Sequence, residues 1–446
     1  MTDTAIRDGK PANAPESAIT PAQRPGINGV LFLLTLSVLI NYIDRSNLSI
    51  AAPLLKDELR ISASQLGTLL SAFFWTYALM QIPAGWLVDR FDVKWVFATG
   101  FLLWSAATAV TGFLHGFIAL LAIRVILGLG ESVAFPSYSK ILGTHFKENR
   151  RGFANAMIMT GLALGPALGI LVGGAAVARF GWRPFFIALG VVGAFWLAPW
   201  ILWMPSGTCT STRTRTNQAG YREILKHRSA WGTCIGQSSI NYFLYFLVTW
   251  LPFYLVRGRH LSLNEMARAG SMMFLMSAIS SAASGKLSDQ WIRAGASPTH
   301  VRKGFMLVGH VGIGIMLSLT VITSGSLFYL MLALDGVFLG ISICNSWAIP
   351  QMLAGPRMVG RWVGVQNFVG NLAGAIAPAL TGFLLDRTGS FFWPFFITGL
   401  VAWIGGVGWW FIVGSLDEVN WDNLSAASLS AASLPVAAAA PESSRA

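Results

Sequence analysis

Apolar runs of about 20 residues recur along nearly the whole chain, separated by short polar breaks. As a helix, a run of that length spans roughly 30 Å of hydrocarbon. The pattern predicts twelve membrane helices, at 28–55, 63–88, 95–114, 117–139, 152–178, 184–204, 231–256, 264–290, 303–323, 327–353, 361–385 and 391–414. Alternating strands of about ten residues are missing, which excludes an outer-membrane barrel. The expected fold is all-α and polytopic.

The longest polar break, residues 205–230, has six helices before it and six after. This divides the chain into a tail (1–27), a six-helix bundle (28–204), a linker (205–230), a second bundle (231–414) and a low-complexity tail (415–446). An internal echo supports duplication. Gly85, Leu87 and Asp89 close the second helix, and Gly285, Leu287 and Asp289 close the eighth at the same offsets. Two parallel six-helix repeats joined by a central loop are the layout of carriers that rock two bundles around a midplane site.

Composition agrees. The 446 residues are 54% hydrophobic and 11% charged, against about 25% charged in soluble domains. The formal net charge of +12 does not collect into one nucleic-acid patch. Basic residues fall mainly in the N-terminal tail (Arg7, Lys10, Arg24), after the second helix (Arg90, Lys94), after the fourth (Lys140, Lys147, Arg150, Arg151) and in the linker. By the positive-inside rule both termini are cytoplasmic. The expectation is a multi-pass inner-membrane protein, monomeric, with lipid as its surroundings and no nucleic-acid partner. Cys209, Cys234 and Cys344 show no pairing or metal spacing. No P-loop is present, and no cofactor or metal is expected.

Against this apolar background "INYIDRSNLSIAAP" (40–53) stands out, because Asp44 and Arg45 lie inside a membrane helix. A charge at that depth costs several kcal/mol and marks function by default. Arg124 and Glu131 repeat the pattern in helix four, and Asp335 adds an acid in helix ten. Arg124 and Glu131 are seven apart, two turns along one face. An arginine fork matches a carboxylate, and an acid beside it changes proton affinity when a substrate competes for the cation. The alternative is that Asp44–Arg45 and Arg124–Glu131 are closed ion pairs that only hold helices one and four together.

The stretches carry a resemblance. "GWLVDRFDVKW" (85–95) resembles the loop signature of the major facilitator superfamily, with Asp92 at a position usually occupied by glycine. "NYIDRSNLS", "RVILGLGESVAFP" (124–136) and residues 361–389 are similar to its anion:cation symporters. The resemblance implies a proton symporter that imports an organic anion, in particular a sugar acid such as a hexonate, hexuronate or aldarate. Carriers of aromatic or dicarboxylic acids, and exporters of the same fold, are alternatives. It implies that Asp44 and Glu131 couple protons and that Arg45 and Arg124 bind the anion. Adjacent helical residues point about 100° apart, so one division puts Arg45 toward the cavity and Asp44 toward helix four, and the reverse is the other.

Tyr42, Tyr77, Asn241, Tyr242, Asn345, Ser346, Gln366 and Asn371 are candidate substrate contacts, with Tyr245 and Asn367 nearby. Gly85, Asp89, Arg90, Arg151 and Asp289 are expected at a cytoplasmic gate. "GLALGPALGILVGG" (161–174) reads as small-residue packing, and Leu162 stands where some sugar-acid members have glutamine. Asp335 is expected near the outer interface, an extra proton site being the alternative.

Overall fold

A computed structural model describes residues 27–146, 148–205 and 221–421. The N-terminal basic residues, Lys147, most of the linker with Cys209, and the tail from 422 lie outside the described residues, as does the side chain of Arg151. Twelve membrane helices follow one another: α1 Ile27–Leu59, α2 Ala63–Arg90, α3 Val93–Thr111, α4 Phe117–His145, α5 Glu148–Phe180, α6 Trp182–Trp203, α7 Arg228–Gly258, α8 Leu263–Arg293, α9 Pro298–Ile322, α10 Gly325–Gly355, α11 Met358–Thr388 and α12 Phe392–Ile412. Ten are apolar enough to cross a membrane by length and composition alone; α2 and α8 are the other two. A short helix, Tyr221–Lys226, precedes α7.

The expected spans recur, with ends that differ by up to six residues, some longer and some shorter. At the α10–α11 junction the helical hydrogen-bond pattern runs on across Gly355, whose φ of 61° and ψ of 175° make the turn. Only glycine adopts that conformation cheaply. Beyond α12 the chain does not leave the protein at 415: Leu416 and Trp421 are buried, and the Val419 N–H donates to Leu353 O.

The duplication is deeper than the G-x-L-x-D echo. Asn41–Tyr42 match Asn241–Tyr242, and Ser62 matches Ser262, at the same separation of 200 residues. Both serines form capping boxes, Ser62 with Gln65 and Ser262 with Glu265. Just before them Arg60 and His260 share a left-handed backbone, φ 52° and 57°. Sequence and backbone therefore repeat together at the start of α2 and α8.

Between the halves, α2 packs on α11, α5 on α8 and α1 on α7. These contacts are tight at the ends remote from the chain termini. A Cβ on Gly67 would lie 2.5 Å from Pro378 O, and one on Gly382 would lie 2.2 Å from Ala63 O. Asp386 of α11 accepts the first N–H groups of α2, from Ala63 at 2.9 Å and Ser64 at 2.7 Å. Arg257 of α7 pairs with Asp57 of α1. At the opposite ends Gly85, Gly360 and Gly364 have open space where a side chain would go, and Ile82 and Trp86 are exposed. The bundles are closed on one side and parted on the side that bears the termini.

Candidate functional site

Helix α1 is held against α5 by a stripe of glycines four residues apart. A Cβ would sit 2.8 Å from Thr35 O at Gly161, 2.4 Å from Tyr42 Cβ at Gly165 and 2.5 Å from Ser46 Oγ at Gly169. Only hydrogen side chains permit this approach. The stripe fixes the rotation of α1, and with it where Asp44 and Arg45 point. On the other side of the site, Gly128 brings α4 against Phe73 O of α2, and Gly130 brings it against Trp104 of α3. The glycines around Glu131 in "GLGE" serve to bring it within reach of α1.

Arg45 and Glu131 meet there. Arg45 Nε donates to Glu131 Oε2 at 3.1 Å, and both residues are buried. The guanidinium carbon lies 4.8, 5.2 and 4.4 Å from the ring centres of Tyr42, Phe73 and Tyr77. Aromatic faces attract a cation more strongly when water is excluded. Arg45 Nη2, Glu131 Oε1 and both amide atoms of Asn41 are buried without a hydrogen-bond partner. Such atoms are rare in native proteins and mark places where a ligand or water fits.

Asp44 turns elsewhere. Its Oδ1 accepts from Asn47 Nδ2 at 2.8 Å and Thr108 Oγ1 at 3.2 Å. The orientation of Asp44 toward helix four is corrected: adjacent helical residues point about 100° apart, and it is Arg45 that takes α4 while Asp44 takes α3. Arg124 lies 5.6 Å from the Phe73 ring centre, and its buried Nε has no hydrogen-bond partner. Among the described residues it has no ion pair within 4 Å. The closed Arg124–Glu131 bridge considered from the sequence does not form; Arg45 takes its place.

The other bundle contributes amides and hydroxyls. Tyr245 OH donates to Asn371 Oδ1 at 2.7 Å, and its ring lies 4.3 Å from that of Phe74, which contacts Phe73. This chain of side chains links α11 to the Arg45 cage. Gln366 donates to Gln237 Oε1 (3.1 Å) and Ser346 O (3.2 Å), and Gln237 donates to Asn241 (3.0 Å). Tyr242 packs on Ala373 and Ala377.

Asn345 is not part of this group. It accepts from Arg302 at 2.8 Å, and Arg302 reaches Asp289 at 3.2 Å. The three form a cluster at the parted end of the second bundle. Asp89 and Arg90 are exposed at the matching end of the first, with Arg90 over Trp86. Asp335 is fully buried; its Oδ2 accepts from Thr320, two residues from the end of α9. Asn47, Thr108, Phe73 and Asn41 were not expected at the site. Asn47 is legible as the residue one turn after Asp44; the other three are ordinary in their surroundings.

Comparisons with known proteins agree with this architecture. The model of the Major Facilitator Superfamily matches residues 34–378. The chain is 28% identical over 404 residues to a probable L-galactonate transporter of Escherichia coli (strain K12), covering 86% of this chain and 88% of that protein. It is 31% identical over 394 residues to the hexuronate transporter of Bacillus subtilis (strain 168), covering 84% and 91%. It is 30% identical over 411 residues to a probable sulfoacetate transporter of Cupriavidus necator, covering 87% and 95%. In fold it is similar to a bacterial homolog of the human lysosomal transporter Spinster in an inward-facing and occupied conformation, with a TM-score of 0.77, 18% identity and coverage of 88% and 98%. The family is one of membrane transporters, so the chain is not an enzyme, and it belongs to the Major Facilitator Superfamily.

Proposed function

We propose that the protein is a proton-coupled symporter that imports a sugar acid by alternating access, with both termini in the cytoplasm of a bacterial cell. The observation that carries this reading is the Arg45–Glu131 pair inside an aromatic cage. A substrate carboxylate and Glu131 are rivals for the same guanidinium. When the substrate wins, Glu131 is left as a lone buried carboxylate, and binding a proton costs less than burying an unpaired charge. Anion and proton then load together. Asp44, held by neutral donors from Asn47 and Thr108, is the second proton site. Arg124 is the mobile cation that follows the vacated acids.

Asn371, Tyr245, Gln366 and Asn241 supply hydroxyl recognition from the second bundle, which suits the polyol chain of a hexonate, hexuronate or aldarate. Relatives named for galactonate and hexuronate favour this class. A second reading is a small dianion with two acidic ends, one for each of Arg45 and Arg124, favoured by the sulfoacetate relative. The test is accumulation of radiolabelled galactonate, galacturonate, galactarate and sulfoacetate in proteoliposomes with an inward pH gradient. Concentrative uptake of a sugar acid that collapses with the gradient is expected. Uptake of sulfoacetate alone would select the second reading, and uptake of none would contradict both.

A further inference from the structure

The closed side of the molecule holds an open, solvent-facing recess of about 390 Å³, lined by residues other than those around Arg45. Its wall carries Arg257 and Arg259 together with Tyr254 and Ser390, over an apolar lining that includes Ile322 and Phe391. No acid lines it. The volume falls within the range of small-molecule sites.

Each arginine is fixed by the fold. Arg259 Nε donates to Tyr254 OH at 2.6 Å, its Nη2 donates to Thr320 O, and the guanidinium rests 4.4 Å from the Phe328 ring centre. Arg257 crosses to the other bundle, donating to Asp57 and, at 3.2 Å, to Pro53 O. Among the described residues Asp57 is the one carboxylate paired with either arginine, so the cavity keeps a net positive charge. Its lining residues all belong to the second bundle, and Arg257 is the one that also reaches the first, through Asp57 and Pro53.

We propose that this cavity is an outer reception site for a small organic carboxylate or sulfonate. The inference rests on the anion-import reading above and extends it to where the anion first lands. An anion there competes with Asp57 for Arg257. Its arrival therefore weakens one of the polar ties between α1 and α7 that keep this side shut, and couples capture to opening. Positive charge in a recess also raises the local anion concentration, an effect that salt diminishes.

The test is thiol labelling in intact vesicles. Cys209, Cys234 and Cys344 are replaced by alanine, Arg45→Ala combined with Glu131→Gln silences the central site without stranding a buried charge, and Ser390→Cys reports on the cavity. Two reagents are compared, the anionic 2-sulfonatoethyl and the cationic 2-(trimethylammonium)ethyl methanethiosulfonate. Relative to free cysteine, the anionic reagent is expected to be favoured about fivefold at low salt. Either Arg257→Gln or Arg259→Gln should reduce that preference, and millimolar galactonate should slow the anionic reagent. Arg257 is exposed, so its replacement does not endanger folding. A ratio equal to that of free cysteine, a ratio unmoved by both substitutions, or absence of galactonate protection would overturn the site. The labelling does not depend on uptake: charge preference and protection here, together with no anion import by the wild-type protein in the proteoliposome assay above, would contradict the import reading alone.

Discussion

Arg45 donates to Glu131 across the α1–α4 contact at 3.1 Å, while the residue beside it, Asp44, is bound to α3 instead. Two acids, Asp44 on α1 and Glu131 on α4, thus have different keepers, one two neutral donors and the other a cation. Glu131 depends directly on whatever competes for the arginine.

Removing one partner of the buried pair strands the other. Arg45→Ala should abolish uptake and lower stability by about 3–5 kcal/mol, because Glu131 loses its buried partner and must be held unpaired or take up a proton. Adding Glu131→Gln should restore most of that stability but not uptake. Unfolding of the single and double variants in detergent measures the coupling. A double variant as unstable as Arg45→Ala would show that the two side chains do not support each other.

Arg124 makes no ion pair among the described residues. Arg124→Ala should therefore abolish uptake with a much smaller change in melting temperature than Arg45→Ala. Equal destabilisation by the two would place Arg124 in the packing, and normal uptake would remove it from the transport cycle.

The glycine stripe on α5 sets the rotation of α1. Gly165→Val would drive a side chain into Tyr42, whose Cβ already lies 2.4 Å from the place of a glycine Cβ. Overpacking of this kind costs about 1–3 kcal/mol, and here it also displaces the wall of the Arg45 cage. Lower thermal stability together with reduced substrate affinity is expected. Unchanged affinity would mean that α1 adjusts without turning.

Much of this was legible in the sequence, for identifiable reasons. Apolar runs have a length set by the bilayer, so twelve spans could be counted. Asp44, Arg45, Arg124 and Glu131 stood out because charge is conspicuous in such runs. Their pairing was not legible, since it depends on how α1 is rotated, and that is fixed by glycines more than 100 residues away. Thr108 and Phe73 carry no signal, being ordinary in helices that are apolar throughout. Asn345 was grouped with the central amides by residue type alone, whereas its position near the end of α10 puts it beside Arg302 and Asp289. The 200-residue echo needed the matching backbone at Arg60 and His260 to be convincing.

The closed side offers a separate prediction. Asp386 accepts the first two N–H groups of α2 across the bundle seam, where a helix N-terminus favours negative charge. Asp386→Ala removes an interaction of about 1 kcal/mol and should shift the population toward opening on this side by roughly fivefold. In a cysteine-free background, Ala379→Cys should then react faster with an impermeant maleimide added from that side. No change in rate would mean that the carboxylate caps α2 without holding the bundles together.

The central claim is that Glu131 carries a proton because substrate takes its arginine, and one variant isolates it. Glu131→Gln keeps the shape of the acid and cannot release a proton. Proteoliposomes bearing it are compared with wild type in two assays: accumulation driven by an imposed pH gradient, and counterflow exchange with no gradient. The account predicts that accumulation disappears while counterflow persists, since exchange needs the arginine anchor and no net proton movement. Accumulation at the wild-type level would contradict it and leave the Arg45–Glu131 pair a structural contact.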